Sequence, residues 1–147
     1  SRIMAITTNA ICNSFKKELL EGTHNFKASG GNSFKLSLYT SSATLGKSTT
    51  SFTSDNQVSN TGQYASGGSA LTNGGTSLSS DTALVDYADL SFTGVTLTAR
   101  GALIYNDTQD DKAVCVLNFG GDKTATNGTF TVQFPAFSSS AAIIRIA

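Results

Sequence analysis

The sequence predicts a mainly β protein, an antiparallel β-sandwich or jelly roll with one short N-terminal α-helix. Three observations predict it. Apolar and polar residues alternate through residues 95–105 and again through 129–134, the period-2 signature of strands with one buried face. Between them Ala113-Val114-Cys115-Val116-Leu117 is apolar at every position, as in a strand covered on both faces. Helical periodicity occurs once, near the start. At 147 residues the chain makes a single domain, residues 1–147, large enough to hold a core without disulfide staples.

The helix is expected over residues 9–22. Thr8 or Asn9 caps it, since a short polar side chain there accepts from free amides of the first turn. Ile11, Cys12, Phe15 and Leu19 form its apolar stripe with Leu20 at the edge, Lys16, Lys17, Glu18 and Glu21 face water, and Gly22 closes it. That stripe covers one end of the β core, docking on a neighbouring subunit being the alternative. Residues 34–40 read as a half-buried strand with Phe34, Leu36 and Leu38 inward. Residues 41–81 form a Ser/Thr/Gly-rich excursion punctuated by Leu45, Phe52, Val58, Tyr64, Leu71 and Leu78. A structureless segment of that length is rare inside a domain. Short edge strands at 62–65 and 69–72 are therefore expected, or else ordering on contact with a partner. A strand at 84–92 follows, and Thr93-Gly94 turns the chain into the strand ending at Tyr105. Residues 106–112 and 120–128 read as hairpin loops, Pro135 as the stop of the strand at 129–134, and 142–147 as the last strand.

Composition narrows the function classes. Ten basic and ten acidic side chains cancel, and only 14% of the chain is charged. Nucleic-acid binding needs a clustered basic footprint, so nucleic acid is not an expected partner. A net charge near zero favours self-association. No segment has the apolar length to span a bilayer, and residues 1–6 lack the apolar run of a signal peptide. Neither a membrane partner nor an export address is expected, and Met4 reads as an alternative start. Cys12 and Cys115 read as reduced core thiols, a disulfide between them being the alternative.

Few residues carry chemistry. His24, the only histidine, follows the helix in a polar loop with no nucleophile elbow nearby. It reads as a surface or subunit-contact residue, and the chain as no enzyme. Asp107, Asp110 and Asp111 crowd one hairpin loop and are the calcium candidate. Their spacing matches no EF-hand, and the turn preference of Asp explains them equally well. Asp86 and Asp89, three apart in a strand, face opposite sides and make no acid–base couple. The glycine pairs at 67–68, 74–75 and 120–121 lack the Lys-Ser/Thr of a phosphate loop, so no cofactor is expected. Asn106-Asp107-Thr108 and Asn127-Gly128-Thr129 match the glycosylation pattern, which carries no meaning without export. The interface candidates are Tyr39, Tyr64 and Tyr87, whose rings suit a sugar or protein partner, and Arg100, placed outward in mid-strand.

Residues 97–108, 113–123 and 128–135, together with the earlier Phe34-Lys35-Leu36-Ser37-Leu38-Tyr39-Thr40-Ser41-Ser42-Ala43-Thr44-Leu45, resemble small structural proteins of tailed-bacteriophage virions. The recurring pattern is a strand, a turn, a strand ending in a DFG-like string, and a GTFT strand. Here Asn118 stands in place of the acidic residue. The resemblance runs from about Asn9 to the end and carries no catalytic residue. It implies a virion component made in the host cytoplasm: a capsid decoration or cement subunit, or alternatively a tail- or fibre-associated adhesin. The implied partners are other virion proteins, the major capsid protein or tail proteins, with homo-oligomerisation, as a trimer by analogy with decoration proteins.

Overall fold

A computed structural model describes residues 9–134 and 144–146. The chain is mainly β, with two antiparallel sheets and one short helix. Its elements are β1 (Ala10–Ile11), α1 (Asn13–Leu20), β2 (Phe34–Tyr39), β3 (Ser69–Ala70), β4 (Asn73–Ser79), β5 (Thr82–Tyr87), β6 (Leu90–Asn106), β7 (Lys112–Val132) and β8 (Ile144–Ile146). The larger sheet runs β1-β7-β6-β2-β3 and the smaller β4-β5-β8.

The organising unit is the β6–β7 hairpin, strands of 17 and 21 residues paired from Leu90↔Val132 to Asn106↔Lys112. Its near half is flanked by β2, with Leu36↔Ile104 and Leu38↔Ala102 in register, and by β1, with Ile11↔Cys115. Ala102, Leu103, Ile104, Ala113, Val114 and Val116 are all fully buried, as a two-sided apolar run requires. In the far half only one face is covered. There Phe92, Val95, Leu97 and Ala99 are buried, while Thr93, Thr96 and Thr98 are exposed.

Two of the expected turns are not turns. Thr93-Gly94 and residues 120–128 lie inside continuous strands, where their turn-forming residues build β-bulges. Gly94, Gly120 and Asn127 take φ of 64°, 80° and 45°, the left-handed region that glycine-type bulges use. Between the pairs Ala99↔Lys123 and Gly101↔Asn118, residues 119–122 of β7 oppose Arg100 alone. The hairpin loop at 106–112 is where it was expected.

The helix is shorter than its stripe implies. Ala10 and Ile11 pair with Val116 and Cys115 instead, and Cys12 is the N-cap without any side-chain cap bond. Strand pairing satisfies this backbone up to Cys12, whose N–H donates to the Val114 carbonyl at 3.0 Å. Thr8 lies outside the described residues. The C-terminal end is as expected: Gly22 sits at φ 75°, and the Gly22 and Thr23 amides donate to Leu19 and Glu18 carbonyls in a Schellman closure. Phe15 and Cys12 enter the core, whereas Leu20 is 91% exposed.

The strand expected at 84–92 divides. β5 ends at Tyr87, Ala88 and Asp89 carry the chain to the other sheet, and β6 begins at Leu90. The Asp89 carboxylate accepts the Phe134 N–H at 2.9 Å across this junction. Within 41–81, Leu45, Val58, Tyr64 and Leu71 are buried anchors, but Leu78 is 78% exposed. The segment contains β3 and β4, and it bridges to the core at Tyr39↔Gln57 and Ser51↔Lys112. Residues 62–65 form a turn closed by a Thr61↔Tyr64 bridge rather than a strand. Of the last expected strand, 144–146 is present as β8, paired with β5; residues 142, 143 and 147, like Pro135, lie outside the described residues.

Candidate functional site

His24 is not a surface residue. Its ring is buried among Phe15, Phe26 and Phe34, with centroids 4.8 to 6.4 Å away. The hydrogen bonds around it specify one tautomer. Asn106 Oδ1 accepts from the Thr108 and Gln109 amides, so its Nδ2 must point inward, donating to Asn32 Oδ1 at 3.0 Å and His24 Nδ1 at 2.9 Å. Nδ1 is then the acceptor, and Nε2–H donates to Glu18 Oε1 at 2.9 Å. The network ties the end of α1 to the loop after it and to the β6–β7 turn. It is a structural lock, and the histidine's two nitrogens are both committed to it.

The three interface tyrosines are core residues. Tyr39, Tyr64 and Tyr87 are 0%, 1% and 4% exposed. The Tyr39 hydroxyl accepts from Ser37 Oγ and donates to the Thr53 carbonyl at 2.7 Å; that of Tyr64 accepts the Leu38 N–H at 2.8 Å and donates to Gln57 Oε1. Burial pushes all three phenols up from their ordinary range. Their rings have no surface to offer a sugar or a partner, which corrects the reading of them as contact residues.

The aspartates of the β6–β7 turn do not form a metal centre in this geometry. Asp107 faces Lys35 Nζ at 3.7 Å, and Asp110 and Asp111 take φ of 52° and 55° as turn residues. Burial and the neighbouring Asp107 carboxylate hold Asp111 above the usual carboxylate range, with Lys35 opposing. Among the described residues no cluster of three or more His, Cys, Asp or Glu converges to hold a cation. Asp86 lies in β5, and Asp89 lies in the link between β5 and β6. Cys12 and Cys115 are free and buried; burial pushes the Cys12 thiol up to about 11 and raises Cys115 as well.

The far half of the ribbon lies on the surface. Its outward face is a stripe of hydroxyls: Ser91 pairs with Thr131 at 2.9 Å, Thr98 with Thr124 at 3.0 Å, and Thr96 Oγ1 accepts the Asn127 amide at 2.9 Å. Arg100 stands on the same face two residues beyond Thr98. It is half-buried, its Nε is buried with no hydrogen-bond partner, and it has no ion-pair partner among the described residues. Along the outer edge of β7 runs a cleft of about 470 Å3, walled by Leu117, Phe119, Phe130, Val132 and Phe134, with Lys123 at its rim. Among the described residues no strand pairs with β7 beyond Val116 on that side. Of the expected site residues only Arg100 lies here. The stripe was missed, although threonines recurring at even positions 96, 98, 124 and 126 carry its signal.

Comparisons with protein-family models, with curated proteins and with solved structures find no match to this chain. No helix among the described residues is long and apolar enough to cross a membrane.

Proposed function

We propose that this chain is a virion structural protein of a tailed bacteriophage, a capsid decoration or cement subunit that acts by multivalent protein–protein contacts. The observation that carries the reading is the far half of the β6–β7 ribbon. Its uncharged face of short, mutually bonded hydroxyls ends at Arg100, a cation with no counter-ion among the described residues. Short side chains lose little rotamer freedom on docking. The resemblance of residues 97–108, 113–123 and 128–135 to virion proteins supports the same reading. In it the two sheets pack as a β-sandwich, and the subunits form homo-oligomers, trimers on local symmetry axes. Each subunit buries a modest area against the major capsid protein, and many copies convert weak contacts into durable attachment.

The adhesin alternative called for tyrosines clustered on one surface, and Tyr39, Tyr64 and Tyr87 are in the core. Decoration is therefore preferred. Gold-labelled antibody against the protein, applied to intact virions and viewed by electron microscopy, tests it. Label over the head is expected. Label at the tail would transfer the protein to the adhesin reading, and no label on intact or permeabilised particles would sink the virion reading altogether.

A further inference from the structure

Two Asn-Gly dipeptides occur in the chain, Asn73-Gly74 and Asn127-Gly128, and the fold treats them differently. Such a bond is chemically vulnerable because glycine has no side chain to shield its own backbone nitrogen. That nitrogen attacks the asparagine side-chain carbonyl carbon when the side chain is free to swing over it. At half-buried Asn73 the side chain is held at both ends: Nδ2 donates to the Phe26 carbonyl at 2.9 Å, and Oδ1 accepts the Gly75 N–H at 2.8 Å. Asn127 is exposed and sits at φ 45° in the bulge opposite Thr96. Its backbone N–H is bonded to Thr96 Oγ1, but its side-chain amide makes no hydrogen bond among the described residues.

We propose that Asn127 is a site of spontaneous covalent modification, converting to aspartate and isoaspartate in water, while the equivalent dipeptide at Asn73 is protected by the fold. The Gly128 nitrogen forms a bond to Asn127 Cγ, and the Cγ–Nδ2 bond breaks. Nδ2 leaves as ammonia, carrying the displaced amide proton, and a five-membered succinimide closes. Water then opens the ring at either carbonyl. One opening restores the normal backbone with a carboxylate side chain; the other routes the backbone through Cβ. No oxidant or reductant takes part. Either product places a negative charge on the outward ribbon face of a chain with no net charge. The isoaspartyl product also adds a backbone atom beside the Val95↔Gly128 pair, where Val95 is fully buried. This inference is independent of the virion reading.

The full chain, incubated folded at mildly alkaline pH, is digested and followed by mass spectrometry at the two peptides, with isoaspartate identified by isoaspartyl-methyltransferase labelling. A parallel sample is incubated unfolded in urea. Folded, the Asn127 peptide is expected to convert faster than the Asn73 peptide by an order of magnitude; in urea the two rates converge. Gly128→Ala supplies the second variant: its Cβ meets only the Thr126 carbonyl oxygen at 3.5 Å, an ordinary contact, so the fold is kept and conversion slows. Equal rates at Asn73 and Asn127 in the folded chain would overturn the proposal. So would protection of Asn127 in the folded chain alone, or an unchanged rate in Gly128→Ala.

Discussion

The two halves of the β6–β7 hairpin share one pairing and differ in what covers them. In the near half β1 and β2 extend the sheet and both faces are buried, so Leu103, Ile104, Val114 and Val116 have no exposed surface. In the far half one face meets the core and the other is an array of threonine hydroxyls. Hydrogen-bonded pairing is therefore not what separates scaffold from surface here; the covering layers are. The near half holds the molecule together, and the far half is what it presents.

The sharpest way to break that contrast is a deletion in the near half. Ile104→Ala is expected to cost about 4 kcal/mol in urea unfolding, since the side chain is fully enclosed and the site has little room to collapse. A loss under about 1 kcal/mol would mean that the near half is not the scaffold. The matching deletion in the far half is Phe130→Ala. Phe130 is 8% exposed and packs against Phe119 with ring centroids 6.0 Å apart, so the loss should fall at the low end for phenylalanine, about 3 kcal/mol. If Phe130→Ala proved as costly as Ile104→Ala or more so, the halves would not differ in the way described.

The near half was also the legible one. A run such as 113–117, apolar at every position, has one physical meaning, and the strand at β2 and the turn at 106–112 follow from equally local signals. The far half misleads because Gly94, Gly120 and Asn127 carry turn chemistry that the fold uses for bulges; glycine-type bulges and tight turns use the same left-handed residues. Alternation places Tyr39 opposite Leu38, on the face a one-sided sheet would show to water. Residues 53–64 form a second covering layer over it, and no local pattern announces that a Ser/Thr/Gly segment will return to do so. His24 is hidden for the same reason. Its partners Glu18, Asn106 and the surrounding rings come from distant parts of the chain. Arg100 was legible as an outward residue in mid-strand, but the bulge opposite it was not.

A gentler effect, spread over pH, comes from the buried thiols and phenols. Cys12 and Cys115, with Tyr64, Tyr87 and Tyr105, are all pushed upward, chiefly by burial. Folding thus favours their neutral forms. The unfolded chain ionises first, so this stabilisation is whole below about pH 8.5, the free-thiol value, and is lost as pH rises above it. For Cys12 the loss continues to about 11. The urea midpoint is expected to fall between neutral pH and about pH 10, while native thiols stay inert to a thiol reagent at neutral pH until the chain unfolds. A midpoint unchanged across that interval, or rapid native labelling, would show that the near half does not enclose these groups.

The smallest expected effect on stability separates the two halves most cleanly in function. Thr98→Ala removes one hydroxyl of a 3.0 Å cross-strand pair on an exposed face, and Thr124 can turn to water, so the cost should be about 0.5 kcal/mol. Thr98→Lys should be equally silent in the urea transition, because Thr98 is exposed and no described residue packs over it, yet it sets an ammonium beside Arg100. If the far half is the attachment surface, the lysine variant fills fewer sites on particles than wild type while Thr98→Ala fills nearly as many, as counted by gel densitometry of purified virions. Equal occupancy of both variants would move the attachment surface away from this face and leave the cleft along β7, walled by Phe119 and Phe134, as the next surface to substitute.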